Sequence, residues 1–178
     1  MMDLDVRADM KKTMRHLTDV QQKKVPVATS RAINRAVSKV RTETRRDVSR
    51  RMGVQQKHIK GSFAIRRASR YVLSGVLTSR GRPIKLIYFK GTRQLKAGVK
   101  SSAYGKSRTY LGTFIANVGA GHRGAFRRKG SGRLPIKELY GPSVPETMAE
   151  KIIQDSMGRT GRQVFRKEFR RQLTRVLK

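Results

Sequence analysis

The sequence has no cysteine, no tryptophan and few carboxylates, since only 11 of its 178 residues are Asp or Glu. Without cysteine, the chain can form no disulfide framework, no thiolate nucleophile and no cysteine-based zinc site. No apolar run approaches the roughly 18–20 residues of a membrane-spanning helix, and apolar residues make up 37% of the chain. We therefore expect a modest hydrophobic core and no membrane contact.

Positive charge is what the sequence has in excess. Its 43 Lys and Arg residues give a formal net charge of +32, against a magnitude of about 2–8 for a small soluble domain. Residues 48–137 contain 22 of these cations and no Asp or Glu, so no ion pair can form within that segment. The imbalance predicts a polyanionic partner or acidic protein neighbours, and it argues against an enzyme for small neutral substrates.

Hydrophobic spacing predicts helices at both ends of the chain. A first helix is indicated by four apolar residues at spacings of three and four: Val6, Met10, Met14 and Leu17. A longer helix should run from Pro26 to Gly53. Ser143 and Glu146 have the spacing of a capping box, for a helix that we expect to end at Gly158. A last helix is indicated by a further apolar face: Phe165, Phe169, Leu173 and Val176.

The middle of the chain shows short β-rich runs separated by glycine, which predict an antiparallel sheet. The predicted strands are Phe63–Arg67, Tyr71–Ser79, Ile84–Phe89, Ala97–Lys100, Thr109–Val118 and Ala125–Arg128. The order of helices, then strands, then helices predicts an α+β fold. We expect one domain over residues 1–178, with a helical part (1–60), a β-rich part (61–140) and C-terminal helices (141–178).

Two short motifs match known binding sequences, and each has a structural alternative. Gly119–Gly124 matches G-x-G-x-x-G, but a dinucleotide site needs a following helix and an acidic residue about 20 positions on. Since neither is present, we interpret it as a glycine-rich hairpin loop. Arg80–Pro83 matches the core of an AT-hook. A β-turn between two strands explains it as well, although insertion of its arginines into a minor groove stays open.

Catalytic and metal-binding patterns are missing from the sequence. The histidines, His16, His58 and His122, stand far apart, and none has a second ligand at metal-binding spacing. No G-x-S-x-G occurs, and the acid-free segment offers no carboxylate to orient a histidine base. We therefore expect no enzymatic activity, no cofactor and no metal.

The cations supply the candidate binding residues. They could neutralise phosphates without reading bases, and no motif for base recognition accompanies them. A stripe on the long helix and a cluster near residue 128 are the main candidates: Arg31, Arg35, Lys39, Arg46, Arg50, Arg127, Arg128 and Lys129. The last helix adds a second stripe: Arg166, Lys167, Arg170, Arg171 and Arg175. The structural alternative is an ordinary solvated face.

Two segments resemble a known family. They are Val25–Val54, a long basic helix that ends on Met-Gly-Val, and Gly112–Pro145, which includes RLPIKELYGPSVP. With the order of the elements, they resemble the prophage minor tail protein Z family, the tail completion proteins of lambda-like long-tailed phages. The resemblance implies a structural virion protein, without catalytic residues, that joins the head-proximal end of the tail to the head–tail connector near the packaged DNA.

The resemblance also implies partners and an assembly. The tail terminator and the head–tail connector would be neighbours in the virion, and related neck proteins form rings, commonly sixfold. Assembly in the host cytoplasm suits the absence of cysteine, and nonspecific contact with DNA in the channel would account for the positive charge.

The most specific segment of the resemblance holds a candidate subunit interface. Its apolar residues could dock on an adjacent subunit or the terminator, or could equally pack on the protein's own sheet: Leu134, Pro135, Ile136, Leu139, Tyr140 and Pro142.

A nucleoid- or ribosome-associated protein that binds nucleic acid nonspecifically is the alternative function. It differs from a neck protein in one expectation. The isolated monomer should then bind DNA or RNA with micromolar or tighter affinity and a steep dependence on salt.

Overall fold

Helices flank a β-rich middle in the computed structural model, which describes residues 14–15, 18, 20–119 and 121–176. The α+β prediction is confirmed. The helices are α1 (Val25–Met52), α2 (Gln56–Ile59), α3 (Val144–Ala149) and α4 (Lys151–Val176). A π-helical turn at Val20–Lys24 precedes α1. The predicted first helix, Val6–Leu17, lies outside the described residues except for Met14 and Arg15.

Eight short strands form three separate sheets. The strands are β1 (Phe63–Arg66), β2 (Val76–Ser79), β3 (Arg93–Leu95), β4 (Gly98–Ser101), β5 (Arg108–Leu111), β6 (Thr113–Val118), β7 (His122–Arg128) and β8 (Ile136–Glu138). β1 pairs with β2, and the two larger sheets have the orders β3-β4-β5 and β6-β7-β8. Val118 pairs with His122, so a hairpin joins β6 to β7 at this motif as predicted, but the predicted loop is too long because His122–Gly124 belong to β7.

The chain clusters into two compact units. Unit 1 comprises Met1–Val40, Ile65–Leu77 and Gly158–Lys178, and unit 2 comprises Arg41–Ala64 and Thr78–Met157. Helices α1 and α4 each contribute one part to each unit. The single domain predicted from the sequence stays a prediction.

In unit 1, small side chains let helices approach closely. The buried face of α1 recurs every four residues, at Ala28, Ala32, Ala36 and Val40, as a helix of 3.6 residues per turn requires. Gly161 of α4 lies against this face, since a Cβ there would be 3.6 Å from Val40 Cγ2. The alanines and the glycine therefore bring α1 and α4 together within this unit.

In unit 2, the core is built from larger apolar side chains. The largest that are fully buried are Met52, Ile59, Leu86, Val48, Val54, Val99 and Val144. The capping box at the start of α3 is confirmed. Ser143 Oγ accepts a hydrogen bond from the Glu146 amide, and the Glu146 carboxylate accepts one from the Ser143 amide. Two otherwise unpaired amides are thereby satisfied at the entry to the helix.

The predicted strand Ile84–Phe89 is wrong, because a 3₁₀ turn occupies Leu86–Tyr88. The alternation of Leu86 and Tyr88 favoured a strand, but the buried side chains are those of Ile84, Leu86 and Phe89. The Thr92 hydroxyl, which has one hydrogen to donate, lies within hydrogen-bond distance of the Leu86 and Phe89 carbonyls, at 3.0 and 2.8 Å, and so holds the turn. The tight turn lets all three side chains be buried, so the chain does not form the strand that the alternating pattern predicted.

Two other predicted strands are too long. Of Tyr71–Ser79, only Val76–Ser79 is a strand. The preceding residues form a turn in which the Ser69 amide donates to the Val72 carbonyl. Thr109–Val118 is interrupted at Gly112, whose φ of 66° lies in the left-handed region that glycine adopts at low cost. The short strands β3 and β8 were not predicted.

The expected helix end at Gly158 is also wrong, since α4 continues without a break from Lys151 to Val176. A glycine inside a helix costs about 1 kcal/mol relative to alanine, and α4 tolerates Gly158 despite this cost. The break lies instead at Glu150, where a ψ of 134° separates α3 from α4.

Gly75 tests the packing of unit 1. A Cβ at this position would lie 2.7 Å from Ile33 Cγ2 and 2.8 Å from Val37 Cγ2 on α1. Because that overpacks the contact, Gly75→Ala should lower the free energy of unfolding by about 1–3 kcal/mol in urea denaturation. Gly130→Ala is the matched control, since a Cβ there has no atom within 4 Å. Equal destabilisation by both substitutions would contradict the close contact.

Candidate nucleic-acid interface

Helix α4 presents a cationic face in unit 1. Its basic side chains follow spacings of three and four, which place them on the same side of a helix. All are exposed, and together with Gln163 they line a shallow depression of about 580 Å³: Arg159, Arg162, Arg166, Lys167 and Arg170. No acidic side chain lines this α4 face in the described part of the chain.

The dimensions of the α4 face suit a polyanion. Arg159 and Arg170 are eleven residues apart, about 16 Å at a rise of 1.5 Å per residue. Duplex DNA carries one phosphate charge per about 1.7 Å of its axis, or roughly ten over that length. Five cations can therefore each approach a phosphate without contact to a base edge.

The acidic residue of α4 in unit 1 is turned away from this face. Glu168 is only 14% exposed, and its Oε2 lies 2.6 Å from Arg171 and 3.7 Å from Arg35 of α1. Two cations outside the α4 face thus share one carboxylate. Among the residues that the structure describes, no carboxylate lines the α4 face itself.

Three of the predicted α1 cations belong to unit 1. Arg31, Arg35 and Lys39 are exposed at a spacing of four. The charge of Arg35 is balanced in part by Glu168. Arg35 and Lys39 also line a groove between α1 and α4 with Arg67 and Lys167. The structure therefore places these side chains together, with a carboxylate among them.

The other two α1 candidates, in unit 2, are paired with their own helix neighbours. Arg46 lies 3.3 Å from Glu43, and Arg50 lies 2.5 Å from Asp47. Exposed pairs of this kind contribute little to stability, but each offsets a positive charge where a phosphate would bind. They are therefore weaker candidates than the α4 cations.

The predicted cluster Arg127, Arg128 and Lys129 does not form one surface. Arg127 donates to the Leu111 carbonyl at 3.3 Å, whereas the Arg128 guanidinium stacks 5.7 Å from the centroid of Phe114. Neighbouring residues of a strand point to opposite faces. All three side chains are exposed, but they are not brought to one site.

The predicted subunit-interface residues divide into two groups. Ile136 lies in β8 and Leu139 is half-buried, with its amide donating to Ala125 at 2.8 Å, and Pro142 is buried. These residues pack on the protein's own sheet. Leu134 and Tyr140 are 71% and 47% exposed, and Pro135 is exposed as well, so this second group stays a predicted interface.

A polar cluster in unit 2 accounts for His122. Its Nε2 lies 3.0 Å from the Glu138 carboxylate, Lys85 lies 3.7 Å from the same oxygen, and the Tyr140 hydroxyl donates to the other oxygen at 2.9 Å. The hydrogen bond to Glu138, with partial burial, raises the pKa of Tyr140. Four side chains thus tie the Gly119–Gly124 hairpin to β8, which is a structural role.

The AT-hook-like residues Arg80–Pro83 are exposed and follow β2. The Arg80 amide donates to the Ser62 carbonyl at 2.9 Å, and a 3₁₀ turn, not a second strand, comes after them. The expected β-turn between two strands is therefore wrong, and the segment is an exposed loop.

Arg159 and Arg162 were missed by the sequence reasoning. Both follow Gly158, which was expected to end the helix, so they were not placed on the cationic stripe. The spacing of residues 159, 162, 166 and 170 was the available signal, because it continues one helical face through both glycines.

Within residues 14–15, 18, 20–119 and 121–176, no helix combines the length and the apolarity needed to cross a bilayer. In the same residues, no group of three or more His, Asp or Glu side chains is placed to hold a metal ion.

The fold and the charge define a basic α+β protein, and the family follows from comparison with known proteins. The chain belongs to the family of prophage minor tail protein Z (GPZ), whose model matches residues 9–178. No curated protein and no solved structure matches the chain. Membership confirms the resemblance seen in the sequence, and makes the chain a phage minor tail protein, a structural component of the virion tail that works with other tail proteins.

Charge removal from α4 tests the candidate interface. Combined Arg162→Gln, Arg166→Gln and Arg170→Gln substitutions should weaken binding to random-sequence duplex DNA roughly 10²–10³-fold at 0.1 M salt, because each phosphate contact contributes about 0.9 log units there. Fluorescence anisotropy measures this affinity. Lys96→Gln, Lys106→Gln and Arg108→Gln together form the control, since they remove the same charge from exposed positions of unit 2. An equal loss in both triple variants would show that only net charge matters.

Proposed function

We propose that the protein is a tail completion, or neck, protein that joins the head-proximal end of the phage tail to the head–tail connector. The observation that carries the proposal is the α4 cationic face, whose described lining has five exposed Lys and Arg side chains and no acidic one. At such a junction the end of the packaged DNA enters the tail, so a phosphate-binding surface has an evident partner. Membership of a minor tail protein family supports this location.

The proposed DNA contact is electrostatic and independent of sequence. Arginine guanidinium groups donate several hydrogen bonds in a fixed fork, which suits phosphate oxygens. Release of condensed counterions from the DNA supplies the free energy of binding. A protein at the neck must accept whatever sequence lies at the end of the genome, and a phosphate-only surface meets that need.

Assembly of the proposed ring brings many positive charges together, and contact with DNA would reduce the repulsion between them. Each subunit adds a formal charge of +32, and like charges brought together repel. DNA in the channel, or acidic faces of the terminator and the connector, would supply the counter-charge. We therefore expect the ring, a hexamer if it follows related neck proteins, to assemble on the tail. We do not expect it to form from the free protein in low-salt solution. Leu134 and Tyr140 are exposed apolar residues that could contact a neighbouring subunit there.

Head–tail joining in vitro tests the proposal. Tails purified from phage that lack this protein should fail to join DNA-filled heads, and added wild-type protein should restore joined particles in negative-stain images. The triple α4 variant should restore few of them, while the triple Lys96, Lys106 and Arg108 variant should restore most. Normal joining of tails that lack the protein would contradict the proposed function.

A further inference from the structure

In unit 1, the loop between β1 and β2 carries three consecutive apolar side chains into solvent. Tyr71, Val72 and Leu73, here called the apolar tip, are 79%, 58% and 46% exposed. Isolated exposed apolar residues are ordinary, but a contiguous group marks an interaction surface. The α4 cationic face does not use these residues, so the apolar tip needs an explanation of its own.

The apolar tip is held by anchors on both sides. Before it, the Asn34 side chain of α1 donates to the Ala68 carbonyl at 2.9 Å and accepts from the Ala68 amide at 2.8 Å. After it, Gly75 lies directly against Ile33 and Val37. A loop fixed at both ends loses little conformational freedom on binding, so the exposed side chains are arranged in advance for a partner.

Cations precede the apolar tip in the sequence. Arg66, Arg67 and Arg70 are exposed, and the Arg70 guanidinium stacks 4.5 Å from the centroid of the Tyr71 ring. Residues 48–137 contain no acid, so the flanks have no counter-charge from this segment. Tyr and Arg are the residue types that most often dominate protein interfaces.

We propose that the apolar tip docks into an apolar pocket with an acidic rim on another protein of the phage tail. The apolar centre would be buried, and the arginines at the edge would meet carboxylates, which is the usual division of a protein interface. A second copy of this chain is a poor fit, because a tip-to-tip contact would present the same arginines and any other face belongs to a chain of net charge +32. Duplex DNA fits the flanks but offers no cover for three apolar side chains, and Arg70 already covers one face of Tyr71.

The test compares two triple variants of the full chain on purified tails made without this protein. Tyr71→Ser, Val72→Ser and Leu73→Ser together should weaken co-sedimentation with these tails at least tenfold. The matched control is Leu95→Ser, Leu111→Ser and Val118→Ser, which changes exposed apolar residues of unit 2 and should leave binding unchanged. Affinity for duplex DNA should stay at the wild-type value in both variants.

A crosslink identifies the partner and covers the case of a misfolded triple variant. A photoreactive benzoylphenylalanine at Val72 alone, in the assembled tail, should crosslink to a segment of another tail protein in which Asp or Glu flanks apolar residues, as read by mass spectrometry. The proposal is overturned by a crosslink to DNA, to a second copy of this chain or to a basic segment, or by wild-type binding of the folded triple variant.

This proposal is separable from the neck function. A protein that binds tails through the apolar tip, yet is not needed to join heads, would refute the neck role and leave the docking contact intact. Loss of DNA affinity in the apolar-tip variant would show that the loop contacts DNA. That result would refute the docking contact and leave the neck role intact.

Discussion

The structure depends on where a few carboxylates are placed among many cations. Eleven acidic residues face 43 basic ones, so most positive charges cannot be paired within the chain. Those carboxylates that do pair often serve several partners. Glu168 joins Arg35 and Arg171, and Asp47 contacts Arg50 and the Ser156 hydroxyl. Carboxylates therefore fix the side chains that they pair with, and the excess of cations over carboxylates remains for partners.

Helices α1 and α4 show the two outcomes with similar compositions. On α1, Glu43 and Asp47 stand three residues before Arg46 and Arg50. The positive charges of these two arginines are therefore balanced within the helix. The part of α4 that lies in unit 1 has a single acidic residue, Glu168, and it does not line the α4 cationic face. The difference follows from the placement of acids and not from the number of cations. Because of this difference, α4 is a better candidate for phosphate contact than α1, whose cationic stripe is equally evident in the sequence.

Features set by neighbouring residues were predictable, and features set by tertiary contacts were not. The extent of α1, the Ser143 capping box and the hairpin at Gly119 follow from local spacing and turn chemistry. The turn at Leu86 needed knowledge of which side chains are buried, and the passage of α4 through Gly158 needed the contacts of its later turns. Because the helix was predicted to end at Gly158, Arg159 and Arg162 were not assigned to its cationic face, and that part of the candidate interface was not predicted.

Family membership and electrostatics bear on different parts of the function. The family places the chain in the phage tail, whereas the proposed contact with DNA rests on the cations that line the described α4 face. The most direct measurement is the slope of the logarithm of DNA affinity against the logarithm of salt concentration, for the wild type and the Arg162, Arg166 and Arg170 to Gln variant. Three lost phosphate contacts should make the slope less steep by about 2.7, at roughly 0.9 per contact. An unchanged slope would contradict the assignment of DNA contact to α4.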